Sequence, residues 1–99
     1  MSQSLEVFHE LGTRQLNVLC ALHFLAGGEG TVTVSHSALA GALGWRRSSG
    51  VRQSVIDLER HGLVTVTNNS MLGANRPNTF TVLPLGHVVA ENYEAMEAA

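Results

Sequence analysis

The sequence predicts an α+β fold that is mostly α-helical: a three-helix core, a small antiparallel β-hairpin and a C-terminal helix. Three observations carry this expectation. Apolar residues recur at helical spacing in the centre and near the C-terminal end. β-branched residues alternate in three short stretches, and glycine or proline punctuates most changes of pattern.

Residues Leu5 to Leu11 carry a weak helical pattern that Gly12 interrupts, so 1–10 reads as an N-terminal extension of a single domain spanning 1–99. Thr13 suits the N-cap of a helix running to about Ala26, with Leu16, Leu19, Cys20, Leu22, Phe24 and Leu25 placing apolar groups almost all round. Gly27, Gly28 and Gly30 end it, and Thr31 to Val34 alternates as a short strand. Ser35 or Ser37 is placed to cap a helix through Ala38, Leu39, Ala42 and Leu43 that stops at Gly44. A third helix, capped by Ser48 or Ser49 and reaching His61, sets Val51, Val55 and Leu58 inward, with Ile56 widening the stripe. Leu63 to Thr67 and Thr79 to Leu83 alternate as paired strands. The intervening residues, rich in Asn, Gly and Pro, read as a hairpin tip. Pro84 ends the last strand, and residues 85–99 form a helix with Leu85, Val89, Tyr93 and Met96 on one side. An isolated two-stranded hairpin is marginal in water, so Thr31–Val34 is expected beside it.

At 99 residues, with 44% hydrophobic and 14% charged residues, the chain is an ordinary globular domain. A domain this small gains from burial in a dimer. No apolar run reaches the ~18 residues of a membrane span, and the start lacks a basic, apolar leader; a cytoplasmic, nucleoid-associated protein is expected. The net charge of −2 is unevenly spread. Five arginines (Arg46, Arg47, Arg52, Arg60, Arg76) against Asp57 and Glu59 put residues 46–76 at +3. Arg14 against six glutamates puts the remainder at −5. A local field of that kind, rather than total charge, decides where a phosphate backbone docks.

The stretch Leu39 to Val64, LAGALGWRRSSGVRQSVIDLERHGLV, resembles the winged helix-turn-helix regulators, of MarR-like or plasmid and phage partition and replication type. The matching residues are Leu39, Ala40, Leu43, Gly44, Ser48, Ser49, Val51, Leu58, Glu59, Gly62, Leu63 and Val64, and the likeness extends over roughly residues 11–84. Gly50 departs from the pattern, in the first turn of the helix, and the turn is longer than usual by one residue. The resemblance implies a recognition helix at about 48–61 in the major groove of double-stranded DNA. It also implies a wing at 68–78 on the backbone or minor groove.

Chemistry points to the same residues. Arg46, Arg47, Ser48, Ser49, Arg52 and Gln53 gather at the helix start, and Arg52 and Gln53 avoid the apolar stripe. Arginine pairs bidentately with guanine and glutamine with adenine, while serine hydroxyls and helix-start amides suit phosphate. In the wing, Asn69, Asn75 and Arg76 are the candidate contacts, and Met71 and Leu72 are alternatives for packing on a partner subunit. Trp45 is expected to pack in the core. Cys20 reads as a small buried thiol. Of five histidines none shows i, i+4 spacing and Cys20–His23 is the one tight pair, so no metal or other cofactor is expected. No phosphate loop or nucleophile–base motif appears, and no enzymatic activity is expected.

Three functions fit this reading. The first is a homodimeric transcriptional regulator, paired through its N- and C-terminal helices. The second is a plasmid or phage partition, replication or recombination accessory protein. The third is a winged helix used only for protein–protein contact. All-arginine usage with abundant Ala and Gly suits a GC-rich prokaryotic or phage genome.

Overall fold

The computed structural model describes residues 11–67 and 77–98. Helix α1 (Thr13–Ala26) leads through a 3₁₀ turn (Gly27–Glu29) into strand β1 (Thr31–Val34). Helices α2 (His36–Ala42) and α3 (Ser49–Arg60) follow, then strands β2 (Val64–Thr67) and β3 (Asn78–Val82) and helix α4 (Pro84–Ala98). The predicted order of elements is therefore observed.

Helix boundaries follow local chemistry, with two departures from expectation. Gly12, not Thr13, is the N-cap of α1; its extended backbone carbonyl accepts from the Leu16 N–H at 3.1 Å, with no side-chain cap. Ser48 precedes α3 in a helical conformation and likewise makes no side-chain cap bond. The third cap holds: Ser35 Oγ accepts from the Ala38 N–H at 3.0 Å, satisfying one orphan amide of α2. Helix α3 stops at Gly62, whose φ of 75° belongs to the left-handed region that a side chain disfavours. Pro84 occupies the first position of α4, where its missing N–H costs nothing.

The three strands form one antiparallel sheet in the order β1-β3-β2, so Thr31–Val34 does flank the hairpin. Phe80 lies opposite Val32 on one side and Val66 on the other. It is fully buried, tying both edge strands to the core. Burying a side chain of that size contributes about 1.5–3 kcal/mol. Leu16, Leu19 and Leu22 of α1, Leu39 of α2, Val51, Val55 and Leu58 of α3, and Val89 of α4 complete one apolar cluster.

Two apolar assignments change. Ile56 is 39% exposed, and buried Ser54 takes the inward position near Val51 and Leu58. Phe24 is 81% exposed, so α1 is not buried all round. Leu25, Val88 and Met96 are also exposed, the last correcting its expected place beside Val89. Helix α4 approaches the sheet through buried Gly86. A Cβ there would collide with the Leu63 carbonyl oxygen, so only glycine fits without a shift.

Candidate nucleic-acid interface

The turn between α2 and α3 is closed by backbone bonds. The Leu43 N–H reaches the Leu39 and Ala40 carbonyls at 3.1 Å, Gly44 donates to Gly41, and the Trp45 N–H donates to the Ala40 carbonyl at 2.8 Å. Gly44, at φ 75°, reverses the chain and sends Trp45, Arg46 and Arg47 outward toward the start of α3. Helix α3 is then held inward by Val51, Ser54, Val55 and Leu58, all buried, which leaves Arg52 and Gln53 on its exposed face.

Arg46, Arg47 and Ser49 line one open cavity of about 350 Å³, together with Arg14, Trp45 and Gly50. Arg14 comes from the first turn of α1. Its guanidinium carbon lies 4.3 Å from the centroid of the Trp45 ring, a cation–π stack of about 0.5–1 kcal/mol at an exposed site. Trp45 is therefore only half-buried: it packs on the edge of the core and carries an arginine on its outer face. Gly50 explains its own presence here. A Cβ would lie 2.7 Å from Arg14 Nη2 and 3.4 Å from the Trp45 ring, so glycine makes room for the stack.

Among the described residues, Arg14, Arg46, Arg47 and Arg52 are exposed and in no ion pair. The positive end of the α3 dipole adds to their field rather than offsetting it. Nearby carboxylate charge is directed elsewhere: Asp57 accepts from Gln15 Nε2 at 3.1 Å and from Gln53 Nε2 at 3.4 Å. Gln53 thus remains exposed but leans along its own helix toward Asp57. Arg60 stands at the far end of α3, about 16 Å from Ser49 by helical rise, and suits that helix's negative C-terminus. The Arg52 charge also reaches His36. Burial chiefly, and then Arg52, hold the His36 pKa below its ordinary 6.5.

The candidate residues divide accordingly. The fold brings Arg46, Arg47 and Ser49 around one cavity that Ser48, half-buried, does not line, and leaves Arg52 and Gln53 exposed on α3. Asn69, Asn75 and Arg76 lie outside the described residues. Sequence reasoning missed Arg14, because nothing local signals that the start of α1 meets the turn before α3. It also missed a histidine pair across α1 and α4. His23 Nδ1 and His87 Nδ1 are 2.7 Å apart, one donating and the other accepting, and Glu91 lies 3.9 Å from His23 Nε2. His23 thus pairs with a distant histidine rather than with Cys20, whose half-buried thiol lies 3.8 Å from the Ala90 carbonyl. Among the described residues no group of three or more His, Cys, Asp or Glu is placed to hold a metal ion. Nor, among them, is any helix long and apolar enough to cross a membrane.

Solved structures of similar shape place this arrangement. MepR of S. aureus, in complex with DNA, superposes with a TM-score of 0.66 at 21% identity, covering 97% of this chain and 71% of that one. The adhesin competence repressor AdcR of Streptococcus pyogenes matches with a TM-score of 0.66 at 17% identity, over 94% of this chain and 62% of its own. A mutant MarR of E. coli, complexed with operator DNA, gives 0.61 at 17%, over 85% of this chain and 54% of its own. The fold is a MarR-like winged helix-turn-helix. This chain spans only about six-tenths of the length of AdcR and about half of MarR. No family model and no curated protein matches the sequence. In the winged-helix frame α2 and α3 are the helix-turn-helix, and β2 and β3 flank the wing.

Proposed function

We propose that this protein is a sequence-specific, double-stranded-DNA-binding transcriptional regulator that acts as a homodimer. The observation that carries the reading is the cluster of exposed, unpaired guanidinium groups at the start of α3, on a chain whose net charge is negative. A buried, rigid stripe holds the opposite side of that helix, so the exposed side enters a major groove as a fixed body. Arg52 and Gln53 are assigned to base edges. Arg46, Arg47, Ser48 and Ser49 are assigned to phosphates, and Asn69, Asn75 and Arg76 of the wing to the backbone or minor groove. The activity is binding rather than catalysis.

Homodimerisation is supported by Phe24, Leu25, Val88 and Met96, apolar side chains that α1 and α4 leave in solvent outside the helix-turn-helix. Two-fold pairing through these helices presents two copies of α3 to half-sites about one helical turn apart.

Selection of bound duplexes from a random DNA pool tests the assignment. The expected result is an enriched pair of half-sites about 10 bp apart. Replacing Arg52 by alanine is expected to relax one position of each half-site by about 1–3 kcal/mol. Absence of enrichment by the wild-type protein overturns the reading.

A further inference from the structure

We propose that Arg14 of α1, held by Trp45, completes a seat for a DNA backbone phosphate with Arg46 and Arg47. The inference rests on the DNA-binding reading above and adds to it an anchor from outside the helix-turn-helix. Three arginines line one open site of about 350 Å³, and among the described residues none is neutralised by a carboxylate. Like charges gathered in this way repel one another, and an anion between them relieves that repulsion. The lining joins three arginines and the Ser49 hydroxyl to the Trp45 ring, and guanidinium and hydroxyl donors suit a phosphodiester oxygen.

Trp45 and Gly50 serve the seat by positioning Arg14. The indole face restricts a long side chain that otherwise samples many rotamers, so less freedom is lost when the anion arrives. The missing Cβ of Gly50 leaves the space in which Arg14 Nη2 sits. The departure of Gly50 from a good helix former thus has a place in binding.

The test uses the full chain and a duplex enriched by the wild-type protein, titrated over a range of salt concentrations. Arg14→Gln is expected to make the plot of log affinity against log salt shallower by about 0.9, the contribution of one phosphate. The ranking of duplex sequences stays unchanged, because a phosphate contact carries no base preference. Thermal melting is expected to fall by only a few degrees, the loss of the Trp45 stack, since Arg14 is otherwise exposed. Gly50→Ala, whose new methyl meets only the mobile end of Arg14 at close range, is expected to weaken binding in the wild type. In the Arg14→Gln background it is expected to add no further loss. Trp45 is the sole tryptophan, so its emission reports directly on the seat and should change on duplex addition. A wild-type salt slope in Arg14→Gln, or Trp45 emission unaltered at saturating duplex, overturns the seat while leaving DNA binding in place. Failure of the wild-type protein to bind any duplex overturns the parent reading, and the seat with it.

Discussion

Gly50 and Gly86 both stand in the first turn of a helix, and helix propensity alone predicts that alanine stabilises each by about 1 kcal/mol. The structure separates them. At Gly50 the added methyl meets the tip of Arg14, a flexible side chain that can swing away, and the Trp45 ring at 3.4 Å. At Gly86 it meets the backbone carbonyl of Leu63, with Val82 Cγ1 at 2.9 Å and the Leu63 carbonyl carbon at 3.1 Å.

That carbonyl has little room to yield. It accepts the Leu83 N–H at 2.9 Å, and the Leu63 N–H is itself tied to the Leu58 carbonyl at 3.0 Å. Overpacking against such a position costs about 1–3 kcal/mol, and weakening one backbone hydrogen bond adds about 1 kcal/mol. Set against the propensity gain of about 1 kcal/mol, Gly86→Ala should destabilise by about 2 kcal/mol. For a domain of this size that lowers the Tm by roughly 10 °C. Gly50→Ala should melt at or above the wild-type temperature. Urea and thermal unfolding followed by circular dichroism measure both variants in parallel. Wild-type or greater stability of Gly86→Ala would refute the close docking of α4 on Leu63, and with it the placement of the helix proposed to pair subunits.

Two further predictions concern regulation and assembly. Because its folded pKa lies below the ordinary 6.5, His36 adds no pH dependence above that value and erodes stability as pH falls through it toward the folded pKa. His36→Gln should flatten this part of the curve of urea midpoint against pH, measured over about pH 5–8; an unaltered curve would contradict the burial of the imidazole. If the protein pairs as proposed, Phe24→Glu should shift it to a monomer in sedimentation velocity while leaving the fold intact, since Phe24 contributes almost nothing to the core of its own subunit. A wild-type protein that sediments as a monomer removes the two-fold model.

The helix-turn-helix was legible because its signals are local. Val51, Val55 and Leu58 obey helical spacing, Gly44 and Gly62 mark stops by left-handed backbone, and TVTV alternation identified the third strand. The serines were harder to read, because a cap depends on side-chain rotamer as well as residue type: Ser35 accepts its amide bond and Ser48 does not. Ile56 was assigned by hydrophobicity rather than by angle: at 3.6 residues per turn it lies about 140° round the helix from Val51, off the stripe, whereas Ser54 lies about 60° from Val51 and is buried. Contacts between distant segments gave no signal at all. Arg14 with Trp45, and His23 with His87, are pairings that only the packing of α1 against the turn and against α4 creates.

On the DNA-binding reading proposed above, the charge distribution gives an acidic chain one preferred orientation of approach. Glu91 and Glu94 lie exposed on α4, Glu91 beside His23 of α1, while Arg46, Arg47 and Arg52 are exposed in the turn before α3 and in its first turn. A phosphate backbone is therefore attracted to one side and repelled from another, and the acidic side contributes to alignment by disfavouring the wrong encounter. Salt weakens both effects together, since exposed charges farther apart than about 8–10 Å are largely screened at physiological ionic strength. On this account, neutralising Glu91 and Glu94 should strengthen non-specific binding more than specific binding, because the specific complex already orients them away from the duplex.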